Sequence, residues 1–404
     1  MQSGARYQAI LEIITEVFKD EQPADKIIND YIRARKYIGS KDRKFIVDTT
    51  WQIIRNRCKL TFDAKSDEPR KILLYFAKDR LAEVFDGSTY GLASLSEDEK
   101  AWLKEENEEV YPAWVEAECP QWLYEKIGNL DFCKALNGQA QTDIRAHGIT
   151  ADELQTKLNS EGIESVKGRY SPYCLHIKER LILNNCMAWQ DGYLDVQDEA
   201  SQLAAILIDA KPEYKIIDYC CGAGGKSLAL SNILKDNGHI LAYDIEAKRL
   251  ENIKPRMARL KVHNIELTGI IADSDKDFDR FILDAPCSGT GTWRRAPDAK
   301  FRLTKEKLFG LTKIQEELLE IAALKTKAGG QIIYITCSVL RDENEKQIEQ
   351  FLRQHNEFNP VNMKALWAGK IAAPYPHDDE RWLRLSPYTT NTDGFFISVL
   401  EKLV

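Results

Sequence analysis

Residues 215–227 read Lys215-Ile-Ile-Asp218-Tyr-Cys-Cys-Gly222-Ala-Gly224-Gly225-Lys226-Ser227. An apolar pair ending in an acid gives way to three glycines in four positions, and then to the helix-compatible run KSLALSNILK. Glycine lets a chain leave a strand, turn sharply into a helix and approach a ligand closely, so this stretch opens a βαβ unit. Working outward, further strands are predicted at 239–244, 266–271, 280–284 and 331–336, beside 215–220 itself. Helices are predicted at 226–235, 246–260 and 305–327. Strands alternating with helices mean a mostly parallel sheet. Residues 381–386 and 394–400 read as two strands joined by a turn-rich loop, adding an antiparallel edge hairpin. The fold class is α/β, a Rossmann-like sheet.

The glycine turn alone has a plain structural reading as a tight turn. The next strand adds to it. Asp244 ends LAYD, twenty-two residues after Gly222. An acid there accepts hydrogen bonds from two ribose hydroxyls, so the site asks for an adenosine-bearing cofactor. The GxGxxG spacing of nicotinamide enzymes is absent; the glycines fall as GxGG. Asp273, in GIIADSD, is either a partner for the adenine amino group or a surface acid.

Two further signals lie at strand ends: Asp284-Ala-Pro-Cys287-Ser-Gly-Thr-Gly291 after FDRFIL, and Tyr334-Ile-Thr-Cys337-Ser338 closing QIIYIT. A single cysteine in such a place is ordinarily an inert core residue. Two thiols at neighbouring strand ends, each flanked by small polar residues beside a cofactor crevice, point to chemistry. Carbon 5 of cytosine is a poor nucleophile. A thiolate added at carbon 6 makes the ring an enamine that accepts a methyl group; a proton must then leave carbon 5 before the thiol is eliminated. A free thiol has a pKa of about 8.5, so such a site should favour the anion. An acid that holds or shares a proton would stabilise the charge arising on the ring, a role open to Asp284.

These stretches, DYCCGAGGKS, DAPCSGTGTWRRAPDAKFR, YITCSVLRDENEKQIEQFL and VQDEASQLAA, together resemble the Fmu/Sun family of RNA 5-cytosine methyltransferases, bacterial ribosomal RNA type. The resemblance is dense over 195–404. It implies a class I methyltransferase domain binding S-adenosylmethionine. It implies Cys337 as the nucleophile, Cys287 as the thiol that resolves the adduct, and Lys226 and Asp284 at the target base. Cys220, Cys221, Gly222, Ala223, Gly224, Gly225, Lys226, Asp244, Arg249, Asp273 and Asp284 would surround the cofactor. A helical region over 1–100 resembles a NusB-like RNA-binding extension, and 101–194 a small α/β RNA-recognition-like module. Two departures stand out. The family's Ala-Ala-Pro-Gly-Gly-Lys is here Cys221-Gly222-Ala223-Gly224-Gly225-Lys226, which leaves Cys221 without a role. Its Arg-x-Asn is here Arg145-Ala146-His147, which weakens the case for RNA docking through that strand; His147 is read as structural.

The 404 residues suffice for two to three domains. With 44% apolar and 29% charged residues the chain is globular, and a net charge of −7 excludes a purely electrostatic polyanion binder. It leaves room for a local basic face. Between 33 and 59 nine Lys/Arg face two acids, whereas 79–118 is strongly acidic. The basic block is either a solvated helix face or a phosphate-binding one. Arg33, Arg35, Lys36, Lys41, Arg43 and Lys44 are its candidate RNA contacts, with Arg294 and Arg295 following the Cys287 motif. Helical spacing of Ile10, Ile13, Ile14, Val17 and Phe18, and of Phe45, Ile46, Thr49, Ile53 and Ile54, marks the core of that region.

Nine cysteines without a CxxC pair argue against a zinc ribbon and for a reducing cytosol. Neither a secretory signal nor a membrane span is read, and no metal is expected. The reading is therefore a cytoplasmic, monomeric enzyme that methylates carbon 5 of a cytidine in RNA, ribosomal RNA ahead of tRNA. An RNA-binding ribosome-assembly factor with a spent site is the alternative from another class; the presence of Lys226, Asp284, Cys287 and Cys337 speaks against it. A nicotinamide oxidoreductase fails on glycine spacing. A DNA cytosine methyltransferase would attack from the Pro-Cys motif.

Overall fold

The computed structural model describes residues 1–104, 110–178, 181–272 and 274–403. They form two compact units: 1–139 with 292–304, and 140–291 with 305–404. This division differs from the expected one. No strand occurs before Thr142 among the described residues. The stretch expected to open an α/β module instead folds as the helices Ala113–Glu116, Gln121–Ile127 and Leu130–Asn137, the first of them against the helix Arg57–Ala64. Propensity at short helices is weak, and tertiary packing decides their company.

In the first unit, helices Ser3–Val17, Ala24–Ala34 and Ser40–Arg55 bury Ile10, Ile13, Ile14, Val17, Ile46, Ile53 and Ile54, as their spacing predicts; Phe18 and Phe45 are half-buried. Each fully buried aliphatic side chain contributes about 1.5–3 kcal/mol, so this stripe is what holds the helices together. The segment 292–304 is anchored to them by polar contacts. The Arg55 guanidinium donates to the carbonyls of Arg294, Asn137 and Gly138. Buried Lys300 donates to Glu118 O at 2.5 Å and Asn137 Oδ1 at 2.8 Å.

The second unit opens with an antiparallel sheet, in spatial order β2-β3-β1-β4, of Thr142–Ala146 (β1), Ser165–Lys167 (β2), Cys174–Ile177 (β3) and Leu194–Val196 (β4). The helix Ala151–Ser160 covers it and starts at Thr150, whose hydroxyl accepts from Glu153 N while Glu153 accepts from Thr150 N. Reciprocal capping of this kind is what the Thr-x-x-Glu spacing predicts.

The large sheet contains Lys215–Asp218 (β5), His239–Tyr243 (β6), Ile265–Thr268 (β7), Phe278–Asp284 (β8), Thr326–Thr336 (β9), Phe358–Pro360 (β10), Leu383–Leu385 (β11) and Phe395–Lys402 (β12). Alternate residues face two different cores. Ile216, Ile282, Ile333 and Ile335 pack on one side; Ile217, Phe281, Leu283, Ile332 and Tyr334 pack on the other. Both faces being covered explains the near-continuous apolar runs of these strands. The order is β10-β12-β9-β8-β5-β6-β7, with β5 to β9 mutually parallel. The expected C-terminal pair is antiparallel, Leu383 opposite Ile397. β12 also pairs with β9 and β10, so it runs inside the sheet. Its uninterrupted FFISVL is the sequence of an interior strand. The chain leaves β5 toward β7, then returns to β8 on the other side of β5. That reversal opens a crevice at the carboxyl ends of β5 and β8, where open α/β sheets bind ligands. This is the class I methyltransferase arrangement.

Candidate active site

The glycine turn follows β5. Gly222 (φ +54°) and Gly224 (φ +76°) both need the left-handed region, and a Cβ on Gly224 would strike Ile253 at 2.9 Å. A Cβ on Gly222 would meet open space, which is where a ligand could approach the backbone. Asp244, only 3% exposed, accepts from Gly222 N at Oδ2 and from Glu246 N at Oδ1, both 2.9 Å. Each oxygen keeps a free acceptor position. Arg249 lies 3.9 Å from Asp244 and 2.8 Å from Glu246 on an exposed helix turn. Beneath the turn, Asp218 is fully buried. Its Oδ2 accepts from Ser227 Oγ at 2.5 Å and its Oδ1 has no partner. Burial pushes its pKa up to about 6. An orphaned buried acceptor, a half-used carboxylate pair and an unobstructed glycine together fit S-adenosylmethionine, the cofactor of this fold class. Asp273 lies outside the described residues.

Cys221 finds its role here: it is buried in the core beneath the turn, and burial raises its thiol and that of Cys220 well above the ordinary value. Two residues that the sequence reading passed over brace the turn. Gln197 donates to Gly225 O at 3.0 Å, and Arg256 donates to Ala223 O while pairing with Asp195 at 2.6 Å.

The reaction side lies at the ends of β8 and β9. Cys287 and Cys337 come together, Sγ to Sγ 3.4 Å, both half-buried. The contact with Cys337, then burial, then the charges of Cys337 and Glu343 push the Cys287 thiol well up. Lys226, from the helix after the glycine turn, donates to Asp284 Oδ2 at 2.5 Å and lies over the Phe395 ring. Burial works against its ammonium, but the Asp284 and Asp218 carboxylates outweigh it and hold the pKa above 10.5. The structure thus brings Lys226, Asp284, Cys287 and Cys337 into one site from three segments.

Glu343 is the main residue the sequence reading missed. Its side chain is 0% exposed and joins both thiol loops. Oε1 accepts from Ser288 N (2.8 Å) and Gln315 Nε2 (3.2 Å); Oε2 accepts from Ser288 Oγ and Ser338 Oγ (both 2.5 Å).

Other expected positions fall elsewhere. Arg145 is 1% exposed inside the small sheet, donating to Gln197 and facing Asp195, so it is not a surface contact. His147 donates to Leu260 O; burial, aided by Arg145, lowers its pKa to about 4, and it stays neutral as a structural residue. Among the proposed RNA contacts, Arg33, Lys36, Lys41, Arg43, Lys44 and Arg295 are exposed. Arg35 is held over the Tyr31 ring and beside Glu12. Arg294 is a correction: it is buried at 5% exposure, because the segment 292–304 is tied into the helical unit, and it does not present its charge to a surface phosphate.

Residues 205–401 match the family model of the 16S rRNA methyltransferases RsmB/F. The chain is 29% identical to the probable ribosomal RNA small subunit methyltransferase B of Bacillus subtilis over 304 residues, covering 71% of this chain and 67% of that one. It is 33% identical to ribosomal RNA small subunit methyltransferase B of Yersinia enterocolitica over 266 residues, 64% of this chain and 58% of that one. The chain spans about two thirds or less of the length of these curated relatives. In fold it is similar to the crystal structure of PH0851, with a TM-score of 0.78 and 24% identity, covering 100% and 99% of the two chains. The matched segment carries the glycine turn, both thiol loops and the Lys226–Asp284 pair, and over it the chain is similar to the 16S rRNA methyltransferases RsmB/F.

Proposed function

We propose that this protein methylates carbon 5 of a cytidine in small-subunit ribosomal RNA, through a covalent adduct to Cys337. The observation that carries the reading is the pair of sulfurs 3.4 Å apart at the ends of β8 and β9. Cys287, whose proton is held firmly, is the poorer nucleophile at neutral pH. Cys337 gives its proton to water, and the resulting thiolate bonds to carbon 6. The Lys226 ammonium supplies a proton that Asp284 shares with the ring, offsetting the charge that attack creates. S-adenosylmethionine, when bound by the glycine turn, Asp244, Arg249, Asp273 and Asp284, supplies an electrophilic methyl group to carbon 5. The carbon 5 proton then leaves, the ring double bond re-forms, and the carbon–sulfur bond breaks to return the Cys337 thiolate. Cys287, held protonated, serves this release by donating a hydrogen bond to the departing Cys337 sulfur; the carbon 5 proton goes to water, and the proton shared with the ring returns through Asp284 to Lys226.

The ribosomal substrate is supported by the names of the relatives, and a cytoplasmic place follows from that substrate. No helix among the described residues is long and apolar enough to cross a membrane. The N-terminal helices, NusB-like with exposed Lys36, Lys41, Arg43 and Lys44, would meet RNA phosphates, the small antiparallel sheet would aid docking, and the chain would act as a monomer without a metal. The test is methylation of purified small-subunit ribosomal RNA, read by bisulfite sequencing. One new methylated cytidine is expected. Modification of tRNA alone replaces the substrate, and no modified cytidine in either RNA rejects the activity.

A further inference from the structure

The sequence DENEK at 342–346 reads as a charged helix start, a pattern that usually faces water. Glu343 does the reverse. Its four acceptor positions are filled by donors from three segments: Ser288 N and Oγ beside Cys287, Ser338 Oγ beside Cys337, and Gln315 Nε2, which also donates to Pro286 O. Tyr334 Oη donates to the Glu343 carbonyl at 2.7 Å, fixing the backbone as well. A charge is buried there without a cationic partner among the residues touching its carboxylate. Such a group is costly unless fully hydrogen-bonded, and it strengthens every field it casts in the low-dielectric interior.

We infer that Glu343 is a positioning residue: its carboxylate ties the Cys287 loop to the Cys337 loop and, through its charge, keeps Cys287 as the protonated member of the thiol pair. The inference rests on the roles proposed above for the two thiols. The groups around Cys287 agree with it. Cys337 and Tyr334 face it from the loop and strand of β9, and Glu343 from the segment behind. The Lys226 cation faces Cys337 and is already matched by Asp284. The Glu343 charge lies on the Cys287 side, which makes the surroundings of two otherwise identical sulfurs unequal.

The test uses the full chain with Cys337→Ala, so that Cys287 is read alone, and needs neither RNA nor cofactor. Iodoacetamide labelling of Cys287 is followed by mass spectrometry from pH 6 to 10, with circular dichroism as the control for folding. Glu343→Gln keeps the shape and removes the charge. Its labelling midpoint should fall by about one pH unit, so labelling at pH 7.5 rises roughly tenfold. Glu343→Asp draws the charge back by one methylene and should give a smaller rise, two- to threefold on the same scale. If the glutamine variant does not fold, the aspartate variant alone decides. An unchanged midpoint overturns the proposal. So does faster labelling at every pH with no shift of midpoint, which would mean a merely structural tie. A failed methylation assay would reject the proposed activity without touching this result.

Discussion

The sulfur of Cys287 lies 3.4 Å from the sulfur of Cys337, although fifty residues separate them in the chain. The parallel pairing of β8 with β9 brings this about, with Asp284 opposite Ile335 at its upper end. Each strand then ends in a short loop of small residues. Gly291 N donates to Cys337 O, and Gly394 N donates to Gly291 O, so the loops are stitched to each other and to the start of β12. A Cβ on Gly291 would collide with the backbone of Gly394. Two equal thiols at this distance need an asymmetric environment before they can do different jobs.

That asymmetry is directly testable. Cys337→Ala should be inactive and should not cross-link to RNA, because it lacks the first step. Cys287→Ala should still attack and methylate but fail to release, accumulating a protein–RNA band on a denaturing gel. The double variant should show no band. The reverse pattern, with Cys337→Ala trapping RNA, would exchange the two roles.

The Lys226–Asp284 pair should act before release. In the Cys287→Ala background, Asp284→Ala should abolish the trapped band, and Lys226→Met should lower its rate of formation by roughly 100-fold, the scale of one lost proton donor. The pKa of Lys226 is held above 10.5, so its contribution is fully present below that value and is lost as pH rises through the higher folded value. Trapping rates that fall on the alkaline side already at pH 8 would show that another group controls the proton.

Much of this site is legible in the residues themselves, and what is not has a physical cause. The strand ends, the glycine turn and both thiols are local features: a run of β-branched residues followed by glycine or proline announces itself. Thr150 and Glu153 likewise sit three apart and cap their helix as expected. Glu343 does not show in this way, because its partners come from positions 288, 315 and 338 and only the fold assembles them. The same holds for Arg256 on the glycine turn. Arg294 was misplaced because a run of arginines looks alike whether it meets solvent or is anchored, as here, through backbone and neighbouring contacts. The unit boundary near 139 was invisible because short helices at 113–137 carry no strong period of their own.

Asp218 should trade stability for binding. Its folded pKa, about 6, lies above the ordinary 3.8, so the folded state binds more protons between those values. Stability therefore falls as pH rises from about 4 to about 6 and stays lower above it, by on the order of 3 kcal/mol. Asp218→Asn keeps an acceptor for Ser227 and removes the charge. The cofactor-free variant should be more stable at pH 7.5 by denaturant unfolding, with a flatter pH profile, and should bind S-adenosylmethionine more weakly. A variant as pH-sensitive as the parent would show that Asp218 does not titrate in this range.

Asp244→Ala removes the carboxylate that holds Gly222 and faces the crevice. Hydrogen bonds to a charged group contribute about 1.5–3 kcal/mol, so calorimetry should show affinity for S-adenosylmethionine reduced roughly ten- to a hundredfold. Unchanged binding would remove Asp244 from the cofactor site.

The basic helices provide the last prediction. Lys36, Lys41 and Lys44 are exposed, whereas Arg35 is committed to Tyr31 and Glu12 and Arg294 is buried. Phosphate contacts release counterions, and the logarithm of affinity falls with the logarithm of salt by about 0.7–0.9 for each contact. Reversing all three lysines to glutamate should weaken RNA binding and reduce that slope by about 2 to 3. Cofactor affinity should stay the same, since the substitutions lie in the helical unit and the glycine turn in the other. Arg294→Ala is the internal control: it should lower stability, because a buried and partnered guanidinium is lost, and leave the salt slope of the folded protein unchanged. A slope that survives the triple reversal would mean that these lysines form a solvated face, and that RNA is held by other surfaces of the chain.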